Sequence, residues 1–119
     1  MKTRLLVALF CVTALAACAF ENKYESEADK ITKAVMANDI APIRGDLSPN
    51  LTITRVQIAA ASDELGAQGK LESVKEVTPC PAGPGYHCFD VKFEKHTYHE
   101  TLSMDDTGKV TSWHYKMAQ

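Results

Sequence analysis

Four side chains in the last quarter of the chain are of types that move protons: His96, Tyr98, Glu100 and His114. Imidazole changes charge near neutral pH, a carboxyl exchanges a proton, and a phenol can donate one. Together they are candidates for acid–base catalysis. Their spacing defines no dyad, so enzymatic activity is not the leading expectation. His96 and His99, with His87 and His114 elsewhere, raise a metal site. Residues i and i+3 of a strand face opposite sides of a sheet, however, and zinc asks for three or four converging ligands. No metal and no cofactor are expected. Phe93, Trp113 and Tyr115, with Tyr98 and Met104, form an apolar set. They read first as packing between helices and sheet, and second as the wall of a small hydrophobic ligand pocket.

These residues must be held by the elements around them. Ser26 is placed to cap a helix, with Asp29 three residues on. Ala28, Ile31, Ala34 and Val35 follow at helical spacing, and the helix is expected to end near Asn38. Asp39 to Leu47 reads as a second, short helix with Pro42 in its first turn. Asn50 to Thr54 reads as a short strand or an extended entry. Arg55 to Gly66 returns to helical spacing through Val56, Ala59, Ala60 and Leu65. The remainder is β-patterned. Lys70 to Thr78 is irregular enough to suggest a bulge. Cys88 to Lys95 puts Val91 and Phe93 on one face. Tyr98, Leu102 and Met104 share a register. Asp105-Asp106-Thr107-Gly108 is a turn signal. The last strand sets Trp113, Tyr115 and Met117 against Val110, Ser112 and His114. The expectation is an α+β fold: N-terminal helices packed on a curved antiparallel sheet of about four strands.

The N-terminus carries a different signal. Lys2 and Arg4 precede an apolar run from Leu5 to Ala16, too short to span a membrane, which takes about 20 residues. Leu15-Ala16-Ala17-Cys18 then resembles a bacterial lipobox. The resemblance implies cleavage before Cys18 and lipidation of that cysteine. It assigns 1–17 to a lipoprotein signal peptide, 18–24 to a lipidated tether and 25–119 to one domain. Ala19 is not the aspartate associated with inner-membrane retention, which implies the periplasmic face of the outer membrane in a Gram-negative host. Release of a soluble product by ordinary cleavage near Ala17 or Ala19 is the alternative.

Removing residues 1–17 of 119 leaves 102, enough for one small domain. Loss of Lys2 and Arg4 takes the net charge from −2 to about −4. With no basic stripe, nucleic acid is not expected as a partner. Cys11 lies in the discarded run and Cys18 is the lipid site, leaving Cys80 and Cys88. An oxidising envelope would pair them as a structural bridge. Their spacing, across Pro81 to His87, is unlike a redox or zinc Cys-x-x-Cys.

The order of elements resembles the cystatin-like cone of the nuclear transport factor 2-like superfamily. The matching parts are the helix around Ala28–Ala37, the Asp39-Ile40 start, Leu51-Thr52-Ile53, Leu65 to Leu71, and Asp106-Thr107-Gly108-Lys109-Val110. Cystatin-like enzymes keep acid–base residues inside the cone, which would put His96, Tyr98, Glu100 and His114 on strands lining or flanking such a cavity. A rival resemblance, on Leu65-Gly66 and Trp113-His114-Tyr115, is to small assembly lipoproteins of the outer-membrane β-barrel insertion machine. Their Gly-Met-Thr helix start is absent here. Fold alone does not assign function. The expected role is a lipid-anchored, non-catalytic binding or protein-interaction domain. Its partners would be the membrane through the anchor, an envelope protein, a small apolar ligand or a second copy of the chain. The alternatives are a small enzyme with a His/Tyr/Glu site and a scaffold subunit of an envelope assembly.

Overall fold

A computed structural model describes residues 22–51 and 53–119. Cys18 and residues 1–17, the segments read as lipid site and signal peptide, lie outside the described residues. Among the described residues, two α-helices and a 3-10 turn precede four strands: α1 (Lys23–Met36), the 3-10 segment (Ala41–Asp46), α2 (Arg55–Gly66), β1 (Leu71–Val77), β2 (His87–Phe93), β3 (Thr97–Met104) and β4 (Val110–Met117). The strands form one antiparallel sheet in the order β1-β2-β3-β4, with the helices packed against it. This is the expected α+β arrangement.

Helix α1 begins earlier than the Ser26 cap suggested. Asn22 is the cap, its side chain accepting from Glu25 N at 2.9 Å. An Asn side chain satisfies an amide that the helix cannot, and Glu25 suits the positive end of the helix dipole. Lys23 and Tyr24 therefore belong to the first turn. Asn38 closes the helix with φ 55, a left-handed conformation that Asn tolerates better than most residues. The expected second helix is a 3-10 segment, with Pro42 in its first turn. Helix α2 opens on a reciprocal cap: Thr54 Oγ1 accepts from Gln57 N, and Gln57 Oε1 accepts from Thr54 N.

The sheet's inner face follows the pleat. Val74, Phe89, Val91, Phe93, Tyr98 and Leu102 point under the helices and meet Ala28, Ile31 and Val35 of α1 and Ala61 and Leu65 of α2. Each fully buried Leu or Phe of this set contributes roughly 1.5–3 kcal/mol. The irregularity expected near Lys70 is a register shift between Leu71 and Ser73. A second shift lies in the β3–β4 ladder, where Ser103 pairs with Ser112 but Met104 pairs with Val110. The extra residue, Thr111, reverses the facing of the strand start. Val110, expected to share a face with Ser112 and His114, is instead turned into the core and fully buried.

Between β1 and β2, Cys80 and Cys88 are joined by a disulfide, their Cα atoms 5.2 Å apart. His87, beside the bridge, stacks on Tyr24 with ring centroids 3.6 Å apart and bonds Glu76 at 2.8 Å. Asn22 Nδ2 donates to the other oxygen of Glu76 at 2.8 Å. The start of the domain is thus fixed to its first hairpin.

Candidate functional site

The four acid–base candidates do not converge. His96 lies in the β2–β3 turn, exposed, with Nδ1 2.6 Å from Gln68 Oε1. His114 is exposed on β4. Tyr98 and Glu100 both occupy inward positions of β3 and have no exposed surface. His99 points outward and bonds Asp90 at 2.9 Å. Among the described residues no three His, Cys, Asp or Glu side chains are gathered to hold a metal ion.

Glu100 is the chemically unusual group. One row of the sheet runs Glu76, Phe89, Glu100, Tyr115, and α1 lies over it. Oε1 of Glu100 accepts from Trp113 Nε1 at 3.0 Å, and Thr32 Oγ1 of α1 is 2.8 Å from Oε2. Burial pushes the Glu100 carboxyl up to about 7, against the bonds from Trp113 and Thr32, which favour the anion; the Asp29 carboxylate adds to the rise. Tyr98 donates to Glu64 Oε2 at 2.9 Å, and burial first, then Glu64, pushes its phenol up to about 12. It is a poor proton donor at neutral pH.

The aromatic candidates divide. Phe93 is core, packed edge-on against Tyr98 at 5.6 Å. Trp113 and Tyr115 are half-buried, 5.3 Å apart with rings tilted by 37°. They form one wall of a cleft of about 530 Å³ between β4, α2 and the segment leading into α2. Val35, Leu51, Ile53 and Ile58 supply the opposing apolar surface, and Gln57 and His114 sit among the lining residues as polar groups. The volume falls within the usual range for small-molecule sites, about 300–1,000 Å³, and the lining is of the usual kind. Two outward β4 residues, Ser112 and His114, share the cleft with Trp113 and Tyr115, since β4 is the sheet's edge.

Sequence reasoning named Glu100, Trp113 and Tyr115 but missed Thr32, which connects α1 to Glu100. A signal existed: Thr32 falls in the inward stripe of α1, between Ile31 and Val35. Val35, Leu51 and Ile58 were not read as pocket residues either, because their meeting depends on how α2 docks. No family model, curated protein or solved structure matches this chain. Among the described residues no helix is long and apolar enough to cross a membrane.

Proposed function

We propose that this chain is a lipid-anchored envelope protein whose domain binds a small apolar ligand in the Trp113–Tyr115 cleft. The observation that carries the reading is the half-buried aromatic pair. Trp113 and Tyr115 face an open apolar cleft rather than being sealed beneath a helix. Aromatic surface left this way is worth several kcal/mol to a ligand that covers it. The lipobox-like Leu15-Ala16-Ala17-Cys18 supports the anchor. The Cys80–Cys88 bridge suits an oxidising envelope. A helix laid over an antiparallel meander is in keeping with the cystatin-like resemblance, which belongs to the same proposal. The enzyme alternative needs converging acid and base groups, and His96 and His114 lie apart from Tyr98 and Glu100.

The test uses Trp113, the single tryptophan of the chain, as its own reporter. Purified protein is titrated with 1-anilinonaphthalene-8-sulfonate while Trp113 emission is followed. Saturable quenching with one class of site is expected. Ala60 lines the cleft and is exposed, so Ala60→Phe fills the space without disturbing the core. That variant should keep its circular dichroism and lose the quenching. Non-saturable binding, or binding unaffected by Ala60→Phe, would refute the cleft as the ligand site.

A further inference from the structure

Thr32 Oγ1 stands within hydrogen-bond distance of three oxygens but carries one proton. Ala28 O is 2.8 Å away, Glu100 Oε1 3.0 Å and Glu100 Oε2 2.8 Å. When that proton goes to Ala28 O, the hydroxyl turns lone pairs toward Oε2. A separation of 2.8 Å then requires a proton between the two oxygens, and only Glu100 can supply it. The neutral acid satisfies every group: Trp113 Nε1–H donates to Oε1, Glu100 O–H to Thr32 Oγ1, and Thr32 O–H to Ala28 O. The anion instead has two neutral donors. Among the described residues no cation forms an ion pair with it. A carboxylate held in apolar surroundings without a cation pulls in water if it can.

The titratable neighbours offer no relief. From α1 come Asp29, paired with Lys33 at 2.9 Å, and Glu25, which accepts from Glu76 N at 2.9 Å. From β1 comes Glu76, bound to Asn22 and His87. From β2 comes the apolar Phe89, and from β4 come Trp113 and Tyr115. Tyr98 of β3 is turned to Glu64 of α2. The indole that bonds Glu100 is itself a wall of the cleft, so the solvent in that cleft is separated from the carboxyl by Trp113.

We infer that Glu100 is a proton-operated latch on the cleft: the neutral acid holds Trp113 in place as a dry wall, and ionisation draws water past the indole and loosens that wall. The rise of the carboxyl to about 7 places the change near neutral pH. By linkage, an apolar ligand that keeps the wall dry takes up a proton on binding. This last consequence rests on the ligand-binding reading; the latch itself does not.

The test is made first without ligand. Trp113 emission of the wild-type protein is followed from about pH 5 to pH 9, with the Glu100 side-chain carboxyl carbon followed by NMR over the same range. Emission is expected to shift to the red with the carboxyl's own midpoint. Glu100→Gln should show the unshifted emission throughout, and His114→Asn should leave the wild-type titration intact. Flat emission, or an emission midpoint different from that of the carboxyl, overturns the latch even if Glu100→Gln fails to fold. So does a titration lost in His114→Asn. The probe 1-anilinonaphthalene-8-sulfonate should bind at least about fivefold more weakly at the alkaline end, within the usual range of coupling. If emission and carboxyl titrate together but the probe never binds, the latch stands and the ligand reading falls. If the probe binds equally at both ends, the coupling of latch to cleft is overturned.

Discussion

Breaking the Cys80–Cys88 bridge should cost this domain a definite amount of stability, because the structure supplies the loop length. The cysteines are separated by 8 positions. Loop-closure entropy for that length corresponds to about 2.5 kcal/mol near room temperature. The native contacts near the bridge are made by other groups: His87 stacks on Tyr24 and bonds Glu76, and β1 pairs with β2. The cost should therefore come from the unfolded chain, which gains freedom. The perturbation is the paired substitution Cys80→Ser with Cys88→Ser, assayed by urea unfolding and by thermal melts. The melting temperature should fall by roughly 10–20 °C, using about 4–8 °C per kcal/mol for a domain of this size. The urea slope should rise slightly, because the uncrosslinked chain exposes more surface. A loss below about 1 kcal/mol would mean that the unfolded chain already keeps the hairpin closed, and one above about 5 kcal/mol would mean that the bridge holds native packing together. Either result refutes the reasoning.

Stability should also depend on pH through Glu100. Its folded value is raised from 4.5 to about 7, so the folded state binds the extra proton between those values. Its contribution is complete below the unfolded value and is lost as pH rises through the folded one, a change of roughly 3 kcal/mol. Urea midpoints should fall from about pH 5 to pH 8 in the wild type, and much less in Glu100→Gln. Tyr98→Phe keeps the buried ring and removes the bond to Glu64, which is exposed; a cost of about 1 kcal/mol is expected in the same assay. Intact mass of protein purified from envelopes should show acyl chains on Cys18, and an unmodified chain beginning at Ala19 or Phe20 would remove the anchor from the proposal.

The sequence carried the elements better than their joints. Ile31 and Val35 at helical spacing, and the alternation through Phe93 and Leu102, were enough to give α1, β2 and β3. The cap of α1 was misplaced because Ser26 with Asp29 fits a capping pattern as well as Asn22 with Glu25 does. The facing of Val110 was lost because one bulged residue reverses a strand, and a bulge leaves no mark in an alternation of mixed residues. Glu100 could be found as an acid in the inward file of Tyr98 and Leu102. Its partner Thr32 could not, since 68 positions separate them and the spacing of neither element encodes how the helix docks. The histidines misled in the opposite direction. Their side chains suit catalysis, but His96 falls in a turn and His114 on the exposed side of β4.

Within the sheet each strand pairs with its neighbours in the chain, so its ladders form by successive hairpins, and Leu47 of the N-terminal half then bridges to Val110 of the last strand. The polar contacts that join helix to sheet are distant by comparison: Glu25 meets Glu76 across 51 positions and Thr32 meets Glu100 across 68. Such pairings carry the larger loop-closure cost. In a meander that lacks α1, Glu100 would stand in water with the ordinary acidity of a surface carboxylate, and would be charged at neutral pH. Burying it under Thr32 raises its proton affinity. The union of the two halves therefore has a third reactant, the hydrogen ion, and its equilibrium constant should carry buffer acidity as surely as it carries protein concentration.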